Sequence, residues 1–384
     1  MRKPGESKLN FRQIALLSFV PSSDLILHEG RRRMWREGTV MRAVVMRKNK
    51  LVVDTVPVPT PGSGEVLVKT IACGICGTDL HALRHAEALV GGSRISGGIF
   101  AIDPNRDIVM GHEFCAEIVD YGPATRKRFK VGTRVCSTPS LSRAAGDEGI
   151  GYSSENPGGF GELMRLTESN LLEVPRELPS EVAALTEPMA VGYHAVIKAQ
   201  LAKRDVPLII GCGPVGLSVI AALKLKGAAP IVAADFSPRR RELAVQMGAD
   251  IVIDPREKSP YEVFQTGGST RRPAVIFECV GVPGMIDEIM FNAPRETRIV
   301  VTGLCMERDN MYLLSGLHKE INLQFALGYT GYEFADTFRN IRKGKLRVEP
   351  LITGKVGIEG VVKAFEELGS PGHHAKILVE PWRS

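Results

Sequence analysis

The chain has 384 residues, 44% hydrophobic and 24% charged, which excludes disordered and collagen-like classes and allows two or three globular domains of ~150 residues each. Seven cysteines in so long a chain make no disulfide framework, and the expected setting is a reducing, cytoplasmic one. The net charge of +6 sits mostly in residues 1–40, with eight Lys and Arg against four Asp and Glu; the remaining 41 basic and 39 acidic residues leave a near-neutral body with no stripe for nucleic acid.

Residues 1–40 show no clear period. The apolar run Ile14–Val20 is short for a signal-peptide core and no small-residue cleavage pattern follows it, while Glu6, Asp24, Glu29 and Glu37 argue against a mitochondrial leader. The segment is expected to be a loose tail or an over-read of the start, with Met41 the natural first residue. From Met41 to about residue 180, short runs such as RAVVM, KLVVDTV, EVLVKTIA and EFCAEIVDYG are separated by Pro and Gly turns. Many short strands without long helices between them suggest a small barrel-like β domain.

Within this part lies CGICGTDLH, residues 73–81. A disulfide between Cys73 and Cys76 conflicts with the compartment. A thioredoxin-like pair belongs beside a βαβ unit rather than in a strand-rich segment. A structural zinc knuckle needs a second close pair of Cys or His, and Cys115, Cys136, Cys212, Cys279 and Cys305 are widely spread. A catalytic metal site can instead draw on distant residues. Gly111-His112-Glu113 offers an imidazole and a carboxylate, and Thr186-Glu187-Pro188 another carboxylate. Catalytic zinc needs a few N, S or O ligands and one open position, and Cys76, His112 and one or both of Glu113 and Glu187 meet that need.

From about Thr186 the rhythm changes. VPLIIG reads as a strand and VGLSVIAALKLKGA as a helix, although the eighteen uncharged residues between Asp205 and Lys224 reach the lower length limit of a membrane span. Gly211, Gly213, Pro214 and Gly216 interrupt that run, so no membrane segment is expected. PIVAAD, ADIVID, AVIFECVG, RIVVTGL and INLQFALG are further strands, and Ser237-Pro238 opens a helix with Ser as N-cap. Apolar strands alternating with helices predict a doubly wound parallel sheet. After Tyr329 a helix (FADTFRNIRKG) and a final strand (AKILVE) need a different home.

Gly211-Cys-Gly-Pro-Val-Gly216 is a G-x-G-x-x-G between a predicted strand and a predicted helix. The first glycine allows the turn, the second lets backbone N–H groups approach a pyrophosphate, and the third lets helix pack on strand. Pro214 and Val215 lie within the loop, and the helix N-terminus adds partial positive charge. Asp235 ends the next strand and would accept hydrogen bonds from ribose hydroxyls, favouring NAD over NADP. The counter-signal is Arg239, Arg240 and Arg241, any of which could pair with a 2′-phosphate.

Taken in order, CGICGTDLH, GHE, GGFGEL, TEPMAVGYHAV and GCGPVG resemble the zinc-containing medium-chain dehydrogenases of the alcohol dehydrogenase superfamily, from about Met41 to Pro381. The resemblance implies a GroES-like β domain (41–188 and 329–384) plus a Rossmann domain (189–328). It implies Cys76 and His112 as zinc ligands, with Cys73 left out, and Glu113 as a direct or exchanging ligand beside Glu187. A carboxylate at Glu187, where alcohol dehydrogenases have a second cysteine, looks like the sorbitol, threonine and sugar dehydrogenase branch. Zn²⁺ with one thiolate and one carboxylate is neutral; a second bound carboxylate gives −1 and weakens the Lewis acid, so one glutamate is expected to act through water. The four-cysteine structural zinc lobe is missing from Ser137–Pro157, so one zinc per chain is expected. The segment His85–Asp107 is expected to form an extra loop.

The implied reaction is reversible oxidation of an alcohol, a small molecule, in a cytoplasmic homodimer or homotetramer. The resemblance gives Thr78 and His81 a proton relay and Asp79 the orientation of His112. His85, His194, His318, His373 and His374 receive no role. Three rival readings are a zinc-free quinone or enone reductase, a dehydrogenase of a sugar, cyclitol or amino alcohol, and a non-catalytic nucleotide-binding protein of the same fold.

Overall fold

The computed structural model describes residues 38–96, 102–103, 105–143, 146–264, 273–370, 372 and 374–383. The expected tail therefore lies outside the described residues up to residue 37, as does His373. Regular structure begins with β1 (Val40–Arg47), which forms an antiparallel hairpin with β2 (Lys50–Pro57). Lys48 and Asn49 both take positive φ, 49° and 58°, as a two-residue hairpin turn that follows the twist of its strands requires.

Next come β3 (Glu65–Gly74) and α1 (Gly77–Ser96), which is kinked at His85. This helix corrects two expectations. The β-rich part does contain a long helix, and the presumed loop after His85 is helical as far as Ser96 before it reaches residues 97–101, which lie outside the described set. Then follow β4 (Ile108–Val109), β5 (Glu113–Tyr121), β6 (Arg134–Cys136), the hairpin of β7 (Ser140–Arg143) and β8 (Gly146–Gly149), β9 (Leu163–Thr167) and β10 (Leu172–Glu173). Helices α2 (Ser180–Ala184) and α3 (Thr186–Lys198) come next, so the boundary expected at 188/189 falls inside α3.

The second part contains β11 (Val206–Ile210), α4 (Pro214–Leu225), β12 (Val232–Ala234), α5 (Pro238–Met247), β13 (Ile251–Ile253), β14 (Ala274–Glu278), α6 (Met285–Asn292), β15 (Arg298–Val301), α7 (Leu313–Lys319) and β16 (Asn322–Phe325). Its strands form one parallel sheet in the order β13-β12-β11-β14-β15-β16, the order of a doubly wound dinucleotide-binding fold. Strand period sorts the core. Leu208, Ile210 and Ile276 join one apolar cluster, while Ile209, Val275 and Phe277 join another on the opposite face.

The chain then runs through α8 (Gly331–Arg342), β17 (Ile352–Val356), α9 (Val361–Gly369) and β18 (Lys376–Val379). β17 and α9 were not foreseen. β5 covers one edge of β3. The other edge is shared: Glu65–Lys69 pairs with β9, and Cys73–Gly74 pairs with β18. The last strand is thereby built into the first sheet, beside CGICGTDLH, and Ile377 and Val379 enter the same core as Val44, Phe114 and Phe160.

Candidate metal and dinucleotide site

β3 ends in Cys73-Gly74. Cys73 is fully buried, and a Cβ added to Gly159 or Gly111 would fall 2.7 or 2.9 Å from its sulfur. It is packed against glycine backbone, and burial pushes its thiol well above the ordinary cysteine range. Cys76 follows on the turn into α1. Asp79, in the first turn of that helix and fully buried, accepts the Cys76 backbone N–H at 2.9 Å through Oδ2 and the Tyr152 hydroxyl at 2.9 Å through Oδ1. Its Oδ1 also lies 3.4 Å from His112 Nδ1. Burial disfavours the imidazolium of His112, but Asp79 and Cys76 outweigh it and raise its pKa well above the usual value, so the pocket favours positive charge.

Glu113, the first residue of β5, stands opposite Gly74 in register. A Cβ on Gly74 would lie 1.9 Å from Glu113 Oε2, so only glycine leaves the carboxylate its place. Lys376, the first residue of β18, is 1% exposed and donates to Glu113 Oε1 at 2.6 Å and to the Ile75 carbonyl at 3.0 Å. Burial works against its charge, but Glu113 first, then Cys76 and Glu187, keep the ammonium ionised. The other carboxylate oxygen, Glu113 Oε2, is buried without a partner.

The ligand atoms of Cys76, His112 and Glu113 lie within 4.8 Å of one another. Zinc bonds of about 2.0–2.3 Å give tetrahedral edges of roughly 3.3–3.8 Å, so one sulfur, one nitrogen and one carboxylate oxygen gathered within 4.8 Å suit that ion after a small inward adjustment. Glu187 lies outside this trio. It occupies the first turn of α3, buried, with Oε1 accepting from the Tyr329 hydroxyl at 2.8 Å. Burial, with the Glu113 charge adding to it, raises its carboxyl to about 7. Lys376 changes the expected charge count, because its ammonium offsets one carboxylate whichever oxygen meets the metal.

Thr78 Oγ1 is 3.7 Å from the Cys76 sulfur. His81 lies one turn along α1, half-buried; burial, then His85 and Arg84, lower its pKa, leaving the imidazole neutral and able to accept a proton at pH 7.

At the dinucleotide loop, Gly211 has φ of +92°, and a Cβ on Gly216 would lie 1.9 Å from the Gly211 carbonyl oxygen. Gly213 caps α4 with no side-chain acceptor, Pro214 takes the first helical position, and a Cβ on Gly213 would meet nothing within 4 Å. Pro214 and Val215 stay half-buried at the loop surface. The start of α4 therefore has open space beside Gly213 and no capping side chain, which suits a phosphate at a helix N-terminus. Asp235 follows β12, its Oδ2 accepting from Cys212 N–H and its Oδ1 from Ser237 N–H, both at 2.8 Å. Of the three arginines beyond it, Arg239 pairs with Glu242, Arg240 reaches within 3.8 Å of Asp235 Oδ2, and Arg241 pairs with Asp254.

Residues 62–176 match the family model for an alcohol dehydrogenase GroES-like domain, and residues 214–343 match that for a zinc-binding dehydrogenase. The chain is 30% identical over 349 residues to (R,R)-butanediol dehydrogenase of Bacillus subtilis, covering 86% of this chain and 96% of that one. The chain belongs to the zinc-containing alcohol dehydrogenase family. It is similar to L-threonine 3-dehydrogenase of Rhizobium rhizogenes, with 29% identity over 357 residues, 89% of this chain and 99% of that one. The crystal structure of 2R,3R-butanediol dehydrogenase from Bacillus subtilis superposes with a TM-score of 0.74 at 28% identity, covering 89% of this chain and 99% of that chain. This family member is an oxidoreductase acting on alcohols, with a GroES-like domain and a Rossmann-type parallel sheet, and its family ties it to zinc and a nicotinamide dinucleotide.

Sequence reasoning missed Lys376, Tyr152 and Tyr329. Lys376 had a signal, a lone charge inside the apolar AKILVE strand, where a buried lysine needs a carboxylate partner. The two tyrosines had none, since their partners lie 73 and 142 residues away.

Proposed function

We propose that the chain oxidises a secondary alcohol or diol with NAD, and reduces the matching ketone, using one zinc ion held by Cys76, His112 and Glu113. The observation that carries this reading is the convergence of those three ligand atoms within 4.8 Å, with Glu113 Oε2 unpartnered. Bound zinc would supply a Lewis acid that makes the substrate hydroxyl more acidic, and a bound nicotinamide would supply the hydride acceptor. The chain's own residues do the rest. Asp79 fixes the ring of His112, Lys376 holds Glu113, and Thr78 and His81 carry the hydroxyl proton outward. Glu187 stands beside the metal ligands, its carboxyl poised near neutrality.

The relatives' names support a secondary alcohol with a polar group on the next carbon: 2R,3R-butanediol carries a second hydroxyl there and L-threonine an amine. A sugar or cyclitol ring offers the same pattern and is the second reading. The Asp235 carboxylate, which Arg240 approaches only to 3.8 Å while Arg241 is bound to the Asp235 main-chain carbonyl at 2.8 Å, supports NAD over NADP. The catalytic domain comprises 41–188 and 329–384, and 189–328 is the nucleotide domain. The assembly is a homodimer or homotetramer; support comes from helix α7 and edge strand β16 with the residues just after it, where Leu313, Leu317, Phe325 and Leu327 are each at least 60% exposed. The proposed location is the cytoplasm; among the described residues no helix is long and apolar enough to cross a membrane.

The test is metal analysis combined with a panel of diols, polyols, sugars and amino alcohols, assayed with NAD and NADP. The expected result is one zinc per chain. Cys76→Ala should lose zinc and turnover while still binding NADH. Full turnover in a zinc-free Cys76→Ala chain would overturn the proposal.

A further inference from the structure

β12 and β13 are adjacent parallel strands in register, Ala234 against Ile253, and each is followed at once by an aspartate: Asp235 and Asp254. The first faces the dinucleotide loop through Cys212 N–H. The second is turned to a different task. Asp254, 8% exposed, receives Arg256 through both oxygens, with Nε at 2.9 Å from Oδ1, and Arg241 Nη1 at 2.9 Å from Oδ2. Both guanidiniums are also tied to the main chain beneath the ribose-recognition residue. Arg241 Nη1 donates to the Asp235 and Phe236 carbonyls at 2.8 and 3.0 Å, and Arg256 Nη2 to the Phe236 carbonyl at 2.7 Å. The pairing also holds the Asp254 carboxyl far below the usual range.

Resting on the reading of Asp235 as the ribose carboxylate, we infer that Asp254 sets the choice between NAD and NADP by holding Arg241 and Arg256 away from the site a 2′-phosphate would occupy. The chain carries the cations that phosphate recognition needs. Arginine is the side chain best suited to a phosphate, through its fork of donors. One buried carboxylate engages two of them and cancels one of their two charges. Asp254 is a positioning residue; it acts through the arginines.

The test is calorimetric binding of ADP and of 2′,5′-ADP to the full chain. 2′,5′-ADP carries a 2′-phosphate in place of the terminal 5′-phosphate of ADP, so the readout is the change in their affinity ratio between native chain and variant, and neither probe needs zinc or turnover. Native chain should bind ADP and discriminate against 2′,5′-ADP. Asp254→Asn keeps the shape and removes the charge; it should raise affinity for 2′,5′-ADP roughly tenfold relative to ADP, a gain that shrinks as salt rises. Adding Arg241→Gln to that variant should remove most of the gain. Should Asp254→Asn fail to fold, Arg241→Gln in the native background answers the same question: with the net charge of the cluster lowered from +1 to zero, 2′,5′-ADP binding should weaken further while ADP binding holds. An unchanged ratio in whichever of these variants folds, with ADP still bound, overturns the inference. Failure of the native chain to bind ADP at all would instead overturn the reading of the dinucleotide site on which it rests.

Discussion

Lys376 is the residue on which the electrostatics of the proposed metal pocket turn. An ammonium and a carboxylate buried together, 1% and 0% exposed at their side chains, are far costlier to separate than a surface pair. Removing one partner of such a pair costs about 3–5 kcal/mol, because the other charge stays buried alone. Lys376→Met should therefore lower the denaturation midpoint of the metal-free chain sharply. Zinc, which supplies a replacement cation for Glu113, should restore much of the loss, so that urea unfolding with and without chelator differs more in the variant than in the native chain. Equal losses in both states would count against a charge-balancing role. The glycines are legible at the same scale. Gly216→Ala places a methyl against the Gly211 carbonyl and should abolish dinucleotide binding, measured by NADH fluorescence, while leaving zinc content intact. Cys76, His112 and Glu113 could be found because their chemistry is rare in combination. Tyr152 and Tyr329 could not, because a tyrosine in a loop reads the same whether or not it meets a carboxylate.

Elements were legible where local chemistry sets them. Ser237 caps α5 through Arg240 N–H, as Ser followed by Pro at the first helical position predicts. α8 starts with a reciprocal box, Thr330 and Glu333 each accepting from the other's backbone, and Glu333 also meets His194 Nδ1 at 2.9 Å. Burial pushes the Glu333 carboxyl up, but Thr330 and His194 outweigh it and hold it below its ordinary value of 4.5. A carboxyl with a depressed folded value stabilises the fold above its unfolded value and loses that contribution as pH falls through the folded one. Glu333→Gln should thus cost on the order of 1 kcal/mol at pH 7 and flatten the decline of stability below pH 4.5, as followed by thermal unfolding across pH. A steeper acid decline in the variant would contradict this sign. The elements missed were those that tertiary packing imposes. α1 carries Gly91 and Gly92, which argue for a turn, and its apolar residues follow the helix period poorly around the kink at His85. β17 is half-buried along most of its length, with no alternation to announce it.

At the scale of the molecule, the parallel sheet was readable because its strands are short, most of them apolar, and spaced to leave room for helices. The place of the last strand was not, since nothing local says that β18 will pair with β3. The exposed apolar side chains of α7 and β16 give the assembly its most direct check. Leu317→Glu combined with Phe325→Glu should shift the mass measured by light scattering toward the monomer, leaving zinc content unchanged. An unaltered mass would place the interface elsewhere.

The pairing of Glu113 with Lys376 joins positions 263 residues apart. Cys76, His112 and Glu113 all emerge from the ribosome long before the cation that balances them, so a nascent chain holds a half-made pocket with an excess of negative charge. Such a pocket would attract divalent ions indiscriminately until β18 docks. On the proposed ligand set, faithful metal loading should follow the docking of β18, and a split protein ending after the nucleotide domain should bind metal loosely until a peptide spanning residues 329–384 is supplied.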